Sequence, residues 1–504
     1  MKSDPIGTAV DFGDGVIKAC LVYPDRLEPL WVDEGSESFA NAVYKDPTTG
    51  EVTIGRQALA IGAADPEGLA INYKRKIAGD SSKAYFGGTA TAADVAVECL
   101  RKLREIGEKQ SGRTLPPTVF SAPVLASDAQ KAITRSAFEK AGFRLFAERG
   151  GQGPLLLEPT AAMRAAGDQA GLTAGGSTFL VIDVGSSTTD ITAGQFECGQ
   201  LTVLNHDGDT QLGGQDIRGQ LHALALQKAS VKPEDFAKVT PEARFQFLLS
   251  VENALRALNT AAKTKLVVPM GDGAKVRPVD VSRDEFRKQV VDPFADRVIA
   301  AVRRCLKGRN PKDLTRIQVV GGPCANLRLL ERLEQELGRK PSSDVNPTMA
   351  IVRGLALHAR ELAARDAGTT KAFSIFVREI VPINVGIAVH HGDSKQAFCH
   401  VLFPKGTPAN SEVVEDFWLL ESHQHGASIH ILQGEEGQPE EQCHCIGAGQ
   451  LKDLPPEAVR TQRLEVRGIF DAAGMVRLYV TDKVSGKRLE LSAQITTAAR
   501  TSAA

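Results

Sequence analysis

The sequence predicts an α/β region with a duplicated core, followed by an all-β sandwich. Up to about Asp366, apolar strand-like runs alternate with helical stretches, which indicates helices packed on a largely parallel sheet. After Lys371, short alternating runs are separated by Gly, Pro and Asp, a spacing typical of a sandwich of about 120 residues. A glycine-containing turn that occurs twice in the α/β region indicates the duplication.

Hydrophobic periodicity gives the elements of both regions. In the α/β region it predicts strands at 6–10, 16–22, 118–121, 178–183 and 316–320. Predicted helices lie at 92–108, 128–141, 215–229, 241–262, 283–306 and 327–337, with N-caps at Ser127-Asp128 and Ser282 and C-caps at Gly142 and Gly338. Sandwich strands are predicted at 380–391, 398–403, 412–420, 427–433, 462–470 and 475–481. We therefore expect domains at 1–368 and 381–504, joined by a linker at 369–380.

The composition is that of a globular protein with almost no net charge. Among 504 residues, 60 basic and 61 acidic side chains leave a formal charge of −1, which excludes binding to nucleic acid through bulk charge. No apolar run approaches the roughly 18 residues of a membrane span, and the N-terminus does not fit a signal peptide. The cysteines are scattered, and Cys443-His444-Cys445 lacks a second ligand pair for a metal. We expect a cytoplasmic protein with no membrane or nucleic-acid partner.

Two strand–turn–strand segments carry an aspartate followed by small residues. The first contains Asp11-Phe12-Gly13-Asp14-Gly15, and the second Asp183-Val184-Gly185-Ser186-Ser187-Thr188-Thr189-Asp190. Small residues let backbone N–H groups approach phosphate oxygens, and an aspartate at a strand end can hold hydrated Mg²⁺. Either segment alone is more often an ordinary hairpin, but two favour a nucleotide between duplicated halves. Gly321-Gly322 is either a tight strand-to-helix loop or a close approach to a nucleoside.

Motifs in a common order along nearly the whole chain resemble those of the heat-shock protein 70 (DnaK-type) chaperones, within the actin and sugar-kinase ATPase superfamily. In the α/β region the motifs include Asp11-Phe12-Gly13, Tyr73-Lys74-Arg75, Pro123, Glu158-Pro159-Thr160, Asp183-Val184-Gly185, Leu212-Gly213-Gly214-Gln215-Asp216, Val320-Gly321-Gly322 and Asp344-Val345-Asn346-Pro347. In the β region they lie at 381–387, 403–407, 428–435 and 470–474. Actins and sugar kinases lack the β region. The resemblance implies an actin-like ATPase domain followed by a peptide-binding sandwich.

The chemistry that this resemblance implies is ATP hydrolysis, with ATP/ADP and Mg²⁺ as cofactors. Lys74 matches a lysine that contacts the γ-phosphate and the attacking water, and Pro123 matches a switch between the nucleotide site and the interdomain surface. The implied catalytic set is Lys74, Glu158, Asp183, Thr188 and Asp11, of which Asp11, Glu158 and Asp183 surround hydrated Mg²⁺. The implied cofactor-binding positions are Gly13, Asp14, Gly15, Gly185, Ser186, Ser187, Asp190, Gly213, Gly214, Glu252, Arg256, Asn259, Gly321 and Gly322. Without the resemblance, Lys74 would be a solvated surface lysine and Glu158 a turn residue.

Several positions depart from the family pattern. Asp14 and Gly15 replace two threonines, and Asp14 adds a negative charge where phosphates are expected. Ser186-Ser187 replaces a glycine pair. In the purine pocket Leu255 replaces a lysine, Pro323-Cys324-Ala325 replaces Ser-Thr-Arg, and Thr348 replaces an acid. We expect ATP binding weaker than is typical, and slow hydrolysis.

The sandwich is expected to hold an extended peptide through main-chain hydrogen bonds and apolar pockets. The resemblance implies peptide-binding positions at Ile387, His390, Phe417, Leu420, Ala427, Ile429 and Leu464, with His390 and Leu420 forming an arch. The alternatives are plain sandwich core for the large apolar residues and an exposed loop residue for His390. Expected partners are unfolded or extended polypeptide segments, together with J-domain and nucleotide-exchange co-chaperones.

The linker and the C-terminus also depart from the pattern. Residues 371–377 lack the usual acid and leucine run, and the sequence stops at Ala504 without a helical lid, so we expect fast peptide release. Two functions remain open: an ATP-dependent chaperone, or a weakly hydrolysing or non-hydrolysing scaffold for a dedicated partner. The retained carboxylates and Lys74 favour the first, and the altered purine pocket together with the missing lid favours the second.

Overall fold

A computed structural model of the chain describes residues 4–33, 35–77, 82–123, 126, 128–149, 153–169, 177–197, 200–271, 275–342, 346–369, 376–378, 380–381, 383–390, 396–420, 424–456, 462–471 and 475–494. Over these residues the predicted fold class is confirmed, since an α/β part with two similar halves precedes a β-sandwich. No helix in the described ranges combines the length and hydrophobicity that a membrane crossing requires. Outside the described ranges lie several residues named above: Ser127, Asp344, Val345, 371–375, Pro382, His391 and 472–474.

Each half of the α/β part is built on one mixed sheet. In the first sheet the strand order is Leu27–Pro29, Val16–Val22, Gly7–Phe12, Thr118–Ala122 and Leu155–Leu157, with Phe39–Ala40 beside the second of these. In the second sheet the order is Arg316–Val320, Ser177–Val184, Thr189–Glu197, Gln200–Asp209 and Phe376–Arg378. In both sheets a parallel strand flanks an antiparallel hairpin. This repeated arrangement confirms the predicted duplication.

Helices and two small sheets surround these sheets. The α-helices are Arg56–Gly62, Ala92–Ser111, Asp128–Lys140, Glu158–Gln169, Gly214–Lys228, Pro233–Phe236, Pro241–Ala257, Arg283–Phe286, Asp292–Leu306, Leu327–Leu337 and Ala350–Asp366. The small sheets are Val52–Ile54 with Ala42–Lys45 and Leu69–Ile71, and Lys263–Met270 with Lys275–Ser282. The predicted helix 241–262 ends at Ala257, and the predicted helix 283–306 is interrupted by a π-helical turn at Arg287–Val291.

Local sequence explains where these helices begin and end. Ser282 caps its helix because its Oγ accepts a hydrogen bond from the Glu285 backbone N–H. The Glu285 carboxylate in turn accepts from the Ser282 backbone N–H at 2.9 Å, which completes a capping box. Helix Leu327–Leu337 ends at Gly338, whose φ of 67° suits a residue without Cβ. One face of this helix buries three leucines, each worth about 2 kcal/mol of transfer free energy. The predicted caps at Ser282 and Gly338 are confirmed.

Two helices fill the space between the halves. Helices Glu158–Gln169 and Ala350–Asp366 cross so closely at Gly354 that a Cβ there would lie 1.8 Å from the Ala161 carbonyl oxygen. Arg164, almost fully buried, donates to Glu361 at 2.6 Å across the same contact. Since Glu158 begins the first of these helices, the crossing also fixes a carboxylate of the candidate site.

The C-terminal part is a sandwich of two antiparallel four-stranded sheets. One sheet has the order Ala397–Phe403, Val385–His390, Gly426–Gln433 and His444–Lys452. The other has the order Ser411–Trp418, Gln462–Phe470, Met475–Asp482 and Arg488–Gln494. Within the predicted linker, Phe376–Arg378 pairs in parallel with the start of strand Gln200–Asp209 and so extends the second α/β sheet.

Candidate functional site

A cavity of about 1510 Å³ lies between the two halves of the α/β part, and both aspartate-containing turns line it. Most of the predicted site residues are in its wall: Asp11, Gly13, Asp14, Gly15, Lys74, Pro123, Glu158, Asp183, Gly185, Ser186, Ser187, Thr188, Gly214, Glu252, Arg256, Asn259, Gly321 and Gly322. Of the remaining two, Asp190 is 2 % exposed, and Gly213 supports the second turn. The structure therefore gathers residues that are far apart in sequence around one cleft.

The first turn holds Asp11 with both carboxylate oxygens engaged. Ser121 Oγ donates to Asp11 Oδ1 at 2.9 Å, and Lys18 Nζ donates to Asp11 Oδ2 at 2.8 Å. Lys18 lies directly opposite Asp11 on the antiparallel strand Val16–Val22. Lys74 donates to the Phe12 carbonyl oxygen, and its Nζ lies 5.4 Å from the centre of the Phe12 ring. Two ammonium groups thus flank the turn.

Asp14 ties the two turns together. Its Oδ2 accepts hydrogen bonds from Ser187 Oγ and from Gln215 Nε2, the latter at 3.0 Å, whereas its buried Oδ1 has no hydrogen-bond partner. The turns also touch at Gly15, where a Cβ would lie 2.6 Å from Ser186 Oγ. A carboxylate therefore stands between the two backbone segments that would cradle phosphates.

The second turn repeats the geometry of the first. Asp183 and Asp190 face each other on adjacent antiparallel strands, and Thr188 Oγ1 donates to Asp190 Oδ2 at 3.2 Å. The other oxygen, Asp190 Oδ1, is buried without a hydrogen-bond partner. Helix Gly214–Lys228 begins against this turn, where the Gly214 backbone N–H donates to the Gly185 carbonyl oxygen at 3.0 Å. Gly213 is needed here, since its Cβ would lie 2.5 Å from the Ser187 backbone nitrogen.

Burial and mutual repulsion shift the pKa values of the carboxylates. Burial is the largest cause of the raised pKa of Glu158, with Asp11 and Asp183 adding repulsion that Lys74 partly offsets. Burial, then Asp190 and Asp11, raises the pKa of Asp183. Burial, then Glu158, raises the pKa of Asp190 to about 7. Such a cluster of buried acids is stabilised by any cation that enters it.

Lys18 already supplies one cation to this cluster. Burial lowers the pKa of Lys18, but Asp11, Asp183 and Glu158 together outweigh burial and raise it above the usual value for lysine. Its side chain is 13 % exposed and lies in the cavity wall. The amine is therefore an ammonium at neutral pH.

Mg²⁺ suits some of these oxygens better than others. Carboxylate oxygens are its preferred protein ligands, and the unpartnered Asp190 Oδ1 beside Asp183 fits a hydrated ion. Asp11 fits less well, because Ser121 and Lys18 already occupy both of its oxygens. Across the described residues, no three His, Cys, Asp or Glu side chains are grouped closely enough to hold a metal ion directly. Ser121 and Lys18 therefore compete with Mg²⁺ for the oxygens of Asp11, the residue predicted to lie beside the ion.

The predicted purine side of the cavity is also partly occupied by internal contacts. Glu252 accepts a hydrogen bond from Arg218. Asn259 Nδ2 donates to the Ala325 carbonyl oxygen at 2.8 Å, and its Oδ1 accepts from the Leu327 backbone N–H at 2.9 Å. Arg256 is exposed at the rim. This side is therefore preorganised by contacts between helix Pro241–Ala257, its C-terminal extension and the loop after Gly322.

Gly321 allows the closest backbone approach in the site. Its φ of 94° lies in the region that favours glycine, and a Cβ would lie 2.0 Å from the Val184 carbonyl oxygen. The neighbouring Gly322 has open space where a Cβ would stand. The close approach of Gly321 is therefore to the backbone of the second turn, and an approach to a nucleoside stays a prediction.

The predicted peptide-binding residues divide into two groups. Four are buried in the core of the sandwich, namely Ile387, Ala427, Ile429 and Leu464. Phe417 packs partly against this core, with its ring 5.7 Å from that of His400. His390 is half-buried at the end of its strand, and Leu420 is 45 % exposed. The first group fits the core interpretation, and Phe417, His390 and Leu420 are the members that a peptide could reach.

Four residues at the site received no predicted role, although Gln215 stands within one of the motifs quoted above. They are Lys18, Asn41, Ser121 and Gln215. Asn41 Nδ2 donates to the Gly13 carbonyl oxygen at 2.8 Å, and Asn41 Oδ1 accepts from the Tyr73 hydroxyl, so Asn41 supports the first turn. A usable signal existed only for Lys18, which follows Asp11 by the same seven residues that separate Asp183 from Asp190 in the sequence.

Two α/β halves around a cleft, with a β-sandwich after them, define the class of proteins that join an actin-like ATPase fold to a sandwich domain. The family model described as "Hsp70 protein" matches residues 69–503, and the chain belongs to this family.

Similar curated proteins carry the name "Chaperone protein HscA homolog". The protein of Methylibium petroleiphilum is 27 % identical over 95 % of this chain and 77 % of the relative. That of Azoarcus sp. strain BH72 is 25 % identical over 91 % of this chain and 73 % of the relative. That of Bordetella petrii is 26 % identical over 97 % of this chain and 78 % of the relative. Similarity to these relatives therefore extends across both the α/β part and the sandwich.

Proposed function

We propose that this chain is an ATP-binding chaperone of the Hsp70 family that holds extended apolar peptide segments and hydrolyses ATP slowly. The observation that carries the proposal is the convergence of Lys74 with Asp11, Glu158 and Asp183 on one cleft lined by two phosphate-cradling turns. Phosphoryl transfer needs positioning and charge neutralisation more than covalent chemistry, and this cleft offers both.

In this proposal the role of each residue follows from its position in the cleft. Backbone N–H groups of the two turns bind phosphates, Lys74 neutralises charge near the γ-phosphate, and Glu158 and Asp183 orient water. Mg²⁺, when bound through water beside Asp183 and Asp190, would supply further charge neutralisation. Glu252, Arg256 and Asn259 form the side of the cleft that receives the nucleoside, and Asn259 bonds the loop that follows Gly321 and Gly322.

Steady-state ATP hydrolysis tests the proposal. We expect slow turnover that an unfolded protein stimulates and that Lys74→Ala abolishes, while Lys265→Ala, an exposed lysine on strand Lys263–Met270, leaves turnover unchanged. Calorimetric titration that detects neither ATP nor ADP at millimolar concentration would overturn nucleotide binding. Turnover that survives Lys74→Ala would place the chemistry elsewhere.

A second candidate is a non-hydrolysing nucleotide-binding scaffold for one dedicated protein partner. The position of Asp14 favours this candidate. Its carboxylate accepts the hydrogen bond of the Ser187 hydroxyl, which is then not donated to a phosphate, and its negative charge repels phosphate oxygens. Nucleotide binding without measurable turnover, with or without unfolded protein, would select this candidate.

Peptide binding and partners complete the proposal. Phe417, His390 and Leu420 are the accessible candidates for contact with an extended chain, and Pro123 at the cavity wall is the candidate switch toward the sandwich. We further propose a cytoplasmic location, with J-domain and nucleotide-exchange proteins as co-chaperones. Co-purification of a J-domain protein that stimulates turnover would support this part independently.

A further inference from the structure

Lys18 is a buried cation whose position is fixed by a repeated structural pattern. In the first hairpin Asp11 lies directly opposite Lys18, and in the second Asp183 lies directly opposite Asp190. The two pairs have the same place in the duplicated fold. Where the second half carries an acid, the first half therefore carries an ammonium group.

The ammonium of Lys18 is held within the acidic cluster. Its Nζ is 2.8 Å from Asp11 Oδ2, and Asp11 Oδ1 is fixed by Ser121 at 2.9 Å, so the carboxylate has little freedom to turn toward another cation. Lys18 also interacts electrostatically with Glu158 and Asp183, which come from two other segments of the chain.

The same ammonium faces the cleft. Lys18 lines the cavity together with Gly13, Gly15 and Lys74, the residues around the first turn. A nucleoside di- or triphosphate in this cleft brings two to four negative charges beside carboxylates that already repel one another. Some cation must offset this charge. The ammonium of Lys18 is already held in place by the strand, so no conformational entropy is lost to position it when the nucleotide binds.

We propose that Lys18 is a resident cation of the phosphate site, which takes over at Asp11 the charge neutralisation that a divalent metal ion would supply, so that nucleotide binding depends only weakly on Mg²⁺. This inference rests on the proposed nucleotide binding. At Asp11 the ammonium of Lys18 stands in place of the metal, while Asp190 Oδ1 remains available to a hydrated ion.

The test is the dissociation constant of a fluorescent ADP analogue, measured with excess Mg²⁺ and again with excess EDTA. In the native protein we expect the constant to rise by less than about tenfold on metal removal, and in Lys18→Met to rise at least tenfold more than in the native protein. Lys18→Arg, which keeps the charge, should behave as the native chain does. Lys265→Met serves as the control for loss of an exposed lysine.

The outcomes separate this inference from the function on which it rests. Binding by the native protein that weakens more than about tenfold in EDTA overturns the inference and leaves nucleotide binding intact. Equal metal dependence in the native protein and Lys18→Met overturns it as well, and shows that the ion pair with Asp11 is only structural. Absence of binding in both buffers overturns the proposed function together with the inference. If Lys18→Met does not fold, the metal dependence of the native protein alone decides.

Discussion

Asp11 and Lys18 lie directly opposite each other in the first hairpin, with 2.8 Å between Oδ2 and Nζ. The equivalent pair in the second hairpin is Asp183 and Asp190, two acids. The halves of the α/β part are therefore alike in backbone and opposite in charge at one position. This asymmetry places a positive group on the side of the cleft where Lys74 also lies, and it leaves two acids facing each other in the second hairpin.

Removing the negative charge of Asp14 should strengthen nucleotide binding. Asp14 lies between the two turns, and its buried Oδ1 has no hydrogen-bond partner. We predict that Asp14→Asn tightens ADP binding roughly tenfold, or ~1.4 kcal/mol, because a phosphate no longer faces this carboxylate. Asp25→Asn, at an exposed position, should leave the affinity unchanged in the same titration. Weaker binding in Asp14→Asn would mean that the tie between the turns matters more than the charge.

Gly321 and Gly322 should respond differently to the same substitution. Gly321→Ala places a Cβ 2.0 Å from the Val184 carbonyl oxygen at a φ of 94°, whereas Gly322→Ala meets nothing within 4 Å. We predict a loss of at least ~2 kcal/mol in unfolding free energy and loss of nucleotide binding for Gly321→Ala. Gly322→Ala should change stability by less than about 1 kcal/mol. Equal losses of unfolding free energy in denaturant titrations of the two variants would contradict the conclusion that position 321 has no room for a Cβ beside the Val184 carbonyl oxygen.

The sequence predicts elements well where an apolar pattern has one buried face. Strand Val16–Val22 and helix Leu327–Leu337 match their predicted bounds, because turn or capping residues flank an apolar run or stripe. The helices Glu158–Gln169 and Ala350–Asp366 were not predicted. Both are rich in alanine and buried on several faces between the halves, so neither shows a clear polar stripe.

Strand His444–Lys452 was missed for the opposite reason. It contains two glycines and is exposed along much of its length, so it shows neither an apolar run nor a regular alternation. It becomes a strand because it pairs with Gly426–Gln433, a contact that is absent from local sequence.

The sequence predicts those site residues that stand in short contiguous motifs, and it does not predict those that only the fold brings to the site. The aspartates of both turns stand beside small residues, a pattern visible in sequence. Apart from its seven-residue spacing from Asp11, Lys18 has no local signal. Its role depends on the register that sets it opposite Asp11 and on Glu158 and Asp183 from distant segments. The hydrogen bond from Ser187 Oγ to Asp14 Oδ2 likewise forms only when the two halves of the α/β part pack together, so the local sequence does not show it.

Breaking one buried ion pair should strongly destabilise the sandwich. Arg463 and Asp482 are both almost fully buried, and Arg463 also donates to the Pro455 carbonyl oxygen at 2.7 Å. Burial alone would raise the pKa of Asp482, but hydrogen bonds from Arg463 and Ser485 hold this pKa well below its usual value. We predict that Asp482→Ala costs about 3–5 kcal/mol, because it leaves Arg463 buried without its partner. Fluorescence of Trp418 in a Trp31→Phe background reports unfolding of the sandwich alone.

Two comparisons check this estimate. Arg477→Ala removes an exposed partner of Asp471 and should cost less than about 1 kcal/mol in the same titration. A cost that small for Asp482→Ala would contradict the role of the buried pair. Because the pKa of Asp482 is lower in the folded state, its contribution is present above the unfolded value of about 3.9 and should be lost as the pH falls below it.

His400 should make the stability of the sandwich depend weakly on pH. Burial lowers its pKa, but Glu415, whose Oε2 is 2.7 Å from Nε2, and Glu436 outweigh burial and raise it. A raised folded-state pKa means that the contribution is complete below about pH 6.5 and is lost as the pH rises through the folded-state value. We predict a loss of less than about 1 kcal/mol, since the pair is partly exposed. The dependence should vanish in His400→Gln, followed by Trp418 fluorescence, and a rise in stability with pH would contradict this account.

Lys405 should help to couple the sandwich to the α/β part. Its Nζ donates to the His206 carbonyl oxygen at 3.1 Å, and Phe376–Arg378 pairs with the beginning of the same strand, Gln200–Asp209. Movement of that strand on nucleotide binding would therefore reach the sandwich at two points, and any coupling acts equally in both directions.

We predict that ATP changes the affinity of the native chain for a fluorescent apolar peptide by less than about tenfold, and that Lys405→Met removes most of this change. Lys483→Met is the matched control, because Lys483 pairs with Asp416 within the sandwich. Fluorescence anisotropy of the peptide, titrated with and without ATP, measures both variants. An unchanged ATP effect in Lys405→Met would show that the paired strand Phe376–Arg378 carries the coupling without the lysine, and a larger effect in the native chain would show that the contacts couple the parts more strongly than we infer.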